Sequence, residues 1–185
     1  MINAILDDAE KSMAKSVEST RERMNSIRTG HATPGMLDNI MVDYYGSQTP
    51  LNQLANVAAP DNRLLVVQVF DENSVEAVDK AIKSSDLGLN PQVEGSVLRI
   101  PIPKLSEERR KELVKYASEL SEEGKISIRN IRRDAKDAIE ELEDEGECSE
   151  DDAHRALEEL QDITDEYTNK IEEMAENKEQ ELMEE

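Results

Sequence analysis

Tryptophan is absent from this chain, phenylalanine occurs once, and aromatic residues make up only 3% of it. A core without large rings must be built from aliphatic side chains, and 185 residues can hold one or two such cores. The single cysteine, Cys148, excludes an intrachain disulfide framework. With only His31 and His154 beside it, the cysteine and histidine set is too small and too scattered for a zinc site. No stretch approaches the ~20 apolar residues of a membrane span. Met1 leads directly into an amphipathic pattern with no apolar leader. A soluble, cytosolic protein with no membrane partner is expected. Walker loops, G-x-S-x-G, H-E-x-x-H and paired C-x-x-C motifs are all missing. No acid, base or nucleophile stands in a catalytic setting, so the chain reads as a non-enzyme that needs no cofactor. Glu141, Glu143, Glu145, Gly146 and Asp152 loosely imitate a calcium-loop spacing. Glu stands where short ligands are wanted and Asp where a long bidentate one is wanted, so a helix end, a turn and a helix cap account for the pattern without metal.

What the chain has in excess is negative charge, 43 acidic residues against 22 basic ones, for a formal net charge of −21. The excess is uneven. Residues 137–185 carry 22 acidic and three basic residues, net −19, whereas residues 104–136 carry ten basic and seven acidic ones, net +3. Within the basic stretch Arg129, Arg132, Arg133 and Lys136 fall at i, i+3, i+4 and i+7 and so share one helix face. Lys125, one turn earlier, extends the row. Ile128, Ile131 and Ala135 are expected to point roughly the opposite way, which turns the row to solvent. Ordered cations on an acidic protein point to a polyanionic partner at one defined place. The competing reading is a solvated face paired with the acidic C-terminal helix, each pair worth ~0–1 kcal/mol. Residue pattern leaves both open.

Apolar spacing divides the chain into three parts. Ile2, Leu6, Ala9, Met13, Val17, Met24 and Ile27, with Thr20 filling the stripe, recur every three or four residues and predict a helix over 2–28, ended near Gly30. A second stripe runs through Leu113, Ala117, Leu120, Gly124, Ile128, Ile131, Ala135, Ala138 and Leu142, opened by Ser106 and closed by Gly146. Ser149 opens a third, through Ala153, Ala156, Leu160, Ile163, Tyr167, Ile171, Met174 and Leu182. None of the three can bury its stripe alone, so they are expected to form a three-helix bundle from residues 1–29 and 105–185. The middle, 30–104, changes period. Strands are predicted at 40–45, 54–58, 64–70 and 97–100, with a short helix at 74–84. This is a small β/α domain inserted between the first two helices, giving an α+β protein. Its two connections contain Gly30, His31 and Ala32 on one side and Pro101, Pro103 and Lys104 on the other. Short paired links rich in Gly and Pro make a candidate hinge.

Four stretches, in order, resemble the ribosome recycling factor family. They are Ile27-Arg28-Thr29-Gly30-His31-Ala32-Thr33-Pro34, Asp43-Tyr44-Tyr45-Gly46-Ser47-Gln48-Thr49-Pro50-Leu51, Ser85-Asp86-Leu87-Gly88-Leu89-Asn90-Pro91, and Pro101 through Lys111 together with the Arg129–Asp134 row. The resemblance covers the whole chain. It implies an L-shaped two-domain protein, a long three-helix bundle with a hinged β/α domain. It also implies binding to the ribosome after termination and separation of its subunits with elongation factor G and GTP. The family's basic face touches large-subunit RNA, which carries over to Arg129 and Arg132, with Arg28, Arg110, Arg133 and Lys136 as helpers. A monomer is expected. Where the family usually has Arg after Thr-Gly, this chain has His31, so a cation there depends on pH. The alternative is an acidic helical adaptor that binds proteins and touches no RNA.

Overall fold

Helix α1 spans Ile2–Asn25, α4 spans Glu107–Asp144 and α5 spans Glu150–Met183 in the computed structural model, which describes residues 1–184. Together they form one of two compact units, Met1–Arg28 with the chain from Ser106 onward. At ~1.5 Å per residue α4 is roughly 57 Å long. Its start is fixed by Ser106, whose hydroxyl accepts from the Arg109 amide at 3.2 Å, with Glu107 and Glu108 beside the positive end of the dipole. Its end is fixed by Gly146, which takes the left-handed conformation (φ 73°). Ser149 then caps α5 by accepting from the Asp152 amide, and its hydroxyl donates to the Asp152 carboxylate at 2.7 Å. That bond, first, and the neighbouring Arg155 hold the Asp152 carboxyl below its usual range.

The bundle core is aliphatic. Leu6, Ala9, Met13 and Val17 of α1 meet Ile128, Ala135 and Ile139 of α4 and Ala153, Ala156, Leu160, Tyr167 and Ile171 of α5. The α1 stripe lies where its spacing puts it, through Thr20 and Met24. The α4 stripe departs from the predicted one toward its end. Ile139 is wholly buried, while Ile131, Ala138 and Leu142 are only half-buried. Polar contacts edge the seams: Ser16 with Ser127 at 2.8 Å, Arg23 with Glu123 at 2.6 Å, and Tyr167 donating to Glu10 at 3.4 Å.

The second unit, Thr29–Leu105, has its own core. Strands β1 (Met41–Tyr44) and β2 (Ser47–Pro50) form a hairpin. After the single turn α2 (Leu51–Leu54), β3 (Ala55–Asp61), β4 (Leu64–Val69), β5 (Gln92–Glu94) and β6 (Val97–Pro101) make an antiparallel sheet in the order β3-β4-β6-β5. Leu65 faces Ile100 and Val67 faces Leu98 across β4 and β6, all four fully buried. Helix α3 (Val75–Lys83) closes this core with Val75, Val78 and Ile82. The register slips in β3 between Ala58 and Asp61, at Pro60, which has no amide to donate. Tyr44 is half-buried against the core, and Tyr45, in the turn that follows, is 77% exposed. Two expectations are corrected. Leu54 ends a helical turn rather than opening a strand, and β2 and β5 are strands that the sequence reading left out.

Gly124 sets the spacing of the bundle. A Cβ there would lie 2.7 Å from Thr20 Oγ1 and 3.0 Å from Ile171 Cδ1. A glycine inside a helix costs about 1 kcal/mol relative to alanine, and here it lets α1 and α5 both close on α4. Overpacking against Thr20 and Ile171, about 2–3 kcal/mol, outweighs that gain, so Gly124→Ala is expected to lower the melting temperature by a few degrees. In a Thr20→Ala background the same change should cost less, because the contact with Thr20 is gone, the one with Ile171 remains and the helix-propensity gain of about 1 kcal/mol stands. Melts of the four proteins by circular dichroism check this. An equal effect of Gly124→Ala in both backgrounds would contradict the close approach.

Candidate nucleic-acid interface

The row Lys125, Arg129, Arg132, Arg133 and Lys136 stands on α4 as one longitudinal line, as its spacing requires. It does not stand opposite the core. Because the buried stripe passes through Ile128, Ala135 and Ile139, the row is turned from it by only about a quarter to a third of a turn. One edge of the row therefore dips into the seam with α5. Lys125 has 27% of its side chain exposed, against 58% for Arg129 and 66% for Arg133. Arg132 and Lys136 are half-buried and frame a recess of about 210 Å³ floored by Leu157 and Leu160 of α5, with Gln161 at its rim.

Most of these cations are paired, and mostly within their own helix. Arg129 meets Glu122, Lys136 meets Glu140 at 2.8 Å, and Arg133 stands 3.9 Å from Asp134. Lys125 crosses to Glu172 of α5 at 3.1 Å. Arg132 Nη1 donates to Gln161 Oε1 at 3.5 Å. The solvated-face reading foresaw pairing with the acidic helix, and that holds for Lys125. Exposed pairs of this kind are worth ~0–1 kcal/mol. A phosphate, which accepts bidentate charge-assisted bonds from a guanidinium, can displace them.

The other two arginines are elsewhere. Arg28 is exposed just beyond the end of α1. Arg110 is half-buried in the first turn of α4, roughly 28 Å along the helix from Arg129. Arg110 is engaged within the protein and, after the bond from Lys111, helps to hold the Glu107 carboxyl below its usual range. The structure thus gathers the row but not Arg28 and Arg110 into it.

The residues read as a hinge divide in the same way. Ala32 is buried in the core of the inserted unit, and its amide donates to the Asn62 carbonyl at 2.7 Å. Pro101 belongs to β6, opposite Leu64, and the next amide, of Ile102, donates to the Arg63 carbonyl at 2.8 Å. Gly30, His31, Pro103 and Lys104 lie outside regular structure. Gly30 has φ 76°, and a Cβ on it would stand 2.9 Å from Leu105 Cγ. The two connections therefore meet at Gly30 and Leu105, where only glycine fits.

Among the described residues no group of three or more His, Cys, Asp or Glu side chains is placed to hold a metal ion, and no helix is long and apolar enough to cross a membrane. His154 is exposed beside Glu158, and Cys148 is half-buried in the turn before α5, where burial first and the nearby Glu143 and Asp152 push its thiol up. The sequence reading missed Gln161. Its signal was there: Leu157, Leu160, Gln161 and Thr164 interrupt an otherwise acidic helix on one side.

The ribosome recycling factor family, taken as a sequence model, matches residues 20–183 of the chain. The ribosome-recycling factor of Halothermothrix orenii is 51% identical over 184 residues, with 100% of each chain covered. A solution structure of a ribosome recycling factor is 43% identical, with a TM-score of 0.71 over 98% of this chain and 97% of that one. The T. thermophilus ribosome recycling factor, described with E. coli elongation factor G bound to the E. coli post-termination complex, is 46% identical, with a TM-score of 0.63 over 100% of both chains. A family match over most of the length and relatives near half identity from end to end mean that this chain belongs to the ribosome recycling factor family.

Proposed function

We propose that this protein recycles ribosomes. It binds the post-termination ribosome and, together with elongation factor G and GTP hydrolysed on that partner, separates the subunits. The observation that carries the reading is the family match along the chain, and the basic row supplies a physical means of docking. Helix α4 is held along its length by α1 and α5, so its cations are presented from a stiff rod. Arg129 and Arg132 carry the main contacts to large-subunit RNA. Arg133 and Lys136 add charge beside them, and Arg28 and Arg110 make separate contacts. The carboxylates of α5 repel phosphate and keep the helix's outer face off RNA. Reorientation of the inserted domain is assigned to Gly30, His31, Pro103 and Lys104, the linker residues not built into regular structure. An acidic adaptor without RNA contact would instead use the outer face of α5 and be indifferent to the row.

Two outcomes are expected. Replacing Arg129 and Arg132 together by Ala should weaken binding to ribosomes by about 1–3 kcal/mol per strong contact and make the remaining binding less sensitive to salt. Co-sedimentation with ribosomes measures it, and wild-type affinity in the double variant would favour the adaptor. The second outcome concerns the segment at 137–185, net −19. Its internal repulsion is screened as the Debye length falls from ~8 Å near physiological salt to ~3 Å at 1 M. Phosphate attraction weakens over the same range. Folding stability should therefore rise with added salt while ribosome affinity falls. A melting temperature that is flat or falls across the series would mean that internal pairing already neutralises the segment.

A further inference from the structure

Arg132 differs from its neighbours in the row. Lys125, Arg129, Arg133 and Lys136 each have a carboxylate within 4.0 Å, and among the described residues Arg132 has none. This happens against α5, a helix whose exposed positions are mostly Glu and Asp. The residue that meets Arg132 is the neutral Gln161.

The orientation of that amide is set by its other neighbour. Gln161 Nε2 donates to Asp165 Oδ1 at 2.8 Å. An ionised carboxylate can only accept, so the Gln161 nitrogen must face Asp165 and its oxygen must face Arg132. The line Asp165–Gln161–Arg132 thus gives the guanidinium a weak, neutral acceptor and keeps the Asp165 charge one side chain away. Among the described residues one of the five guanidinium N–H donors has a protein acceptor. The recess beside it is floored by Leu157 and Leu160 and flanked by Lys136. A low-dielectric floor strengthens an interaction made there by a charged donor.

We propose that Gln161 is a positioning residue, which holds Arg132 over the recess without neutralising it, so that Arg132 is the cation of the row that has no carboxylate to exchange before it meets an RNA phosphate. This rests on the reading that the row binds ribosomal RNA, and it adds a residue of α5 to that site.

The test uses the full-length protein and purified large ribosomal subunits, with affinity measured across a salt series for Gln161→Glu, Gln161→Ala, Arg132→Ala and the Arg132→Ala/Gln161→Glu pair. A carboxylate at 161 would form an exposed ion pair with Arg132, so Gln161→Glu should lose about three- to fivefold in affinity. Its salt slope should fall by roughly the one phosphate that Arg132 no longer neutralises. Gln161→Ala should lose about twofold with an unchanged slope, because the charge stays and only its anchor goes, and wild-type affinity in this variant would overturn the positioning role. In the Arg132→Ala background Gln161→Glu should do nothing further. If Gln161→Glu binds as wild type, or weakens binding equally without Arg132, the positioning role is overturned. If Arg132→Ala itself binds with wild-type affinity and slope, the RNA reading of the row fails and this inference falls with it.

Discussion

Everything in the helical unit depends on one seam. α1, α4 and α5 each carry a single apolar stripe, and none of the three is stable with that stripe in water. The seam is aliphatic and thin, and at Gly124 it is closed by the absence of a side chain. Because α1 and α4 are separated in sequence by the whole inserted unit, closing this seam brings together the two ends from which that unit is connected. The seam also fixes the rotation of α4. With Ile128, Ala135 and Ile139 turned inward, the basic row has one place to go, along the border with α5.

That placement bears on how an acidic protein can meet RNA. A row of cations directly opposite the core would be free of α5 and of its charge. A row on the border has to share the seam with the most acidic helix of the chain. The α5 side of the border is accordingly not uniformly acidic. Leu157, Leu160 and Gln161 line it with neutral side chains, and the carboxylate that does reach across, Glu172, meets Lys125 at the end of the row. Arg129, Arg133 and Lys136 are balanced by α4's own Glu122, Asp134 and Glu140, in exposed pairs of little net worth. Negative charge is abundant nearby, yet it is arranged so that the guanidinium groups remain exchangeable.

Much of this was legible in the residues. The α1 stripe, with Thr20 as its small member, is a plain three–four alternation, and Ser106, Gly146 and Ser149 mark the helix limits by their capping chemistry. The strands with buried apolar alternation, β4 and β6, were equally visible. What escaped was polar or short. β2 is Ser-Gln-Thr-Pro and β5 is Gln-Val-Glu, edge strands held by a neighbour's backbone rather than by side-chain burial. Leu51–Leu54 makes one helical turn, too short for any period to show. On α4 the pair Ala138 and Ile139 allowed two continuations of the stripe, and a stripe through Ile131, Ala138 and Leu142 sets the row further from the core than the buried one through Ile128, Ala135 and Ile139. The partner of Arg132 lies in a different helix, so the neutral break around Gln161 is visible along α5 but is matched to Arg132 only once the two helices are docked.

The central claim is that α4, and not the outer face of α5, is the side of the bundle that lies on large-subunit RNA. The most direct measurement is cleavage by a tethered hydroxyl-radical source, with Cys148 replaced by Ala and a single new cysteine carrying the probe at position 133 on α4 or at position 162 on the exposed side of α5. With the protein bound to ribosomes, the probe at 133 should cut large-subunit RNA at a small, salt-sensitive set of positions, and the probe at 162 should cut it weakly or not at all. Strong cleavage from 162 with none from 133 would place the acidic helix against the RNA and contradict the account.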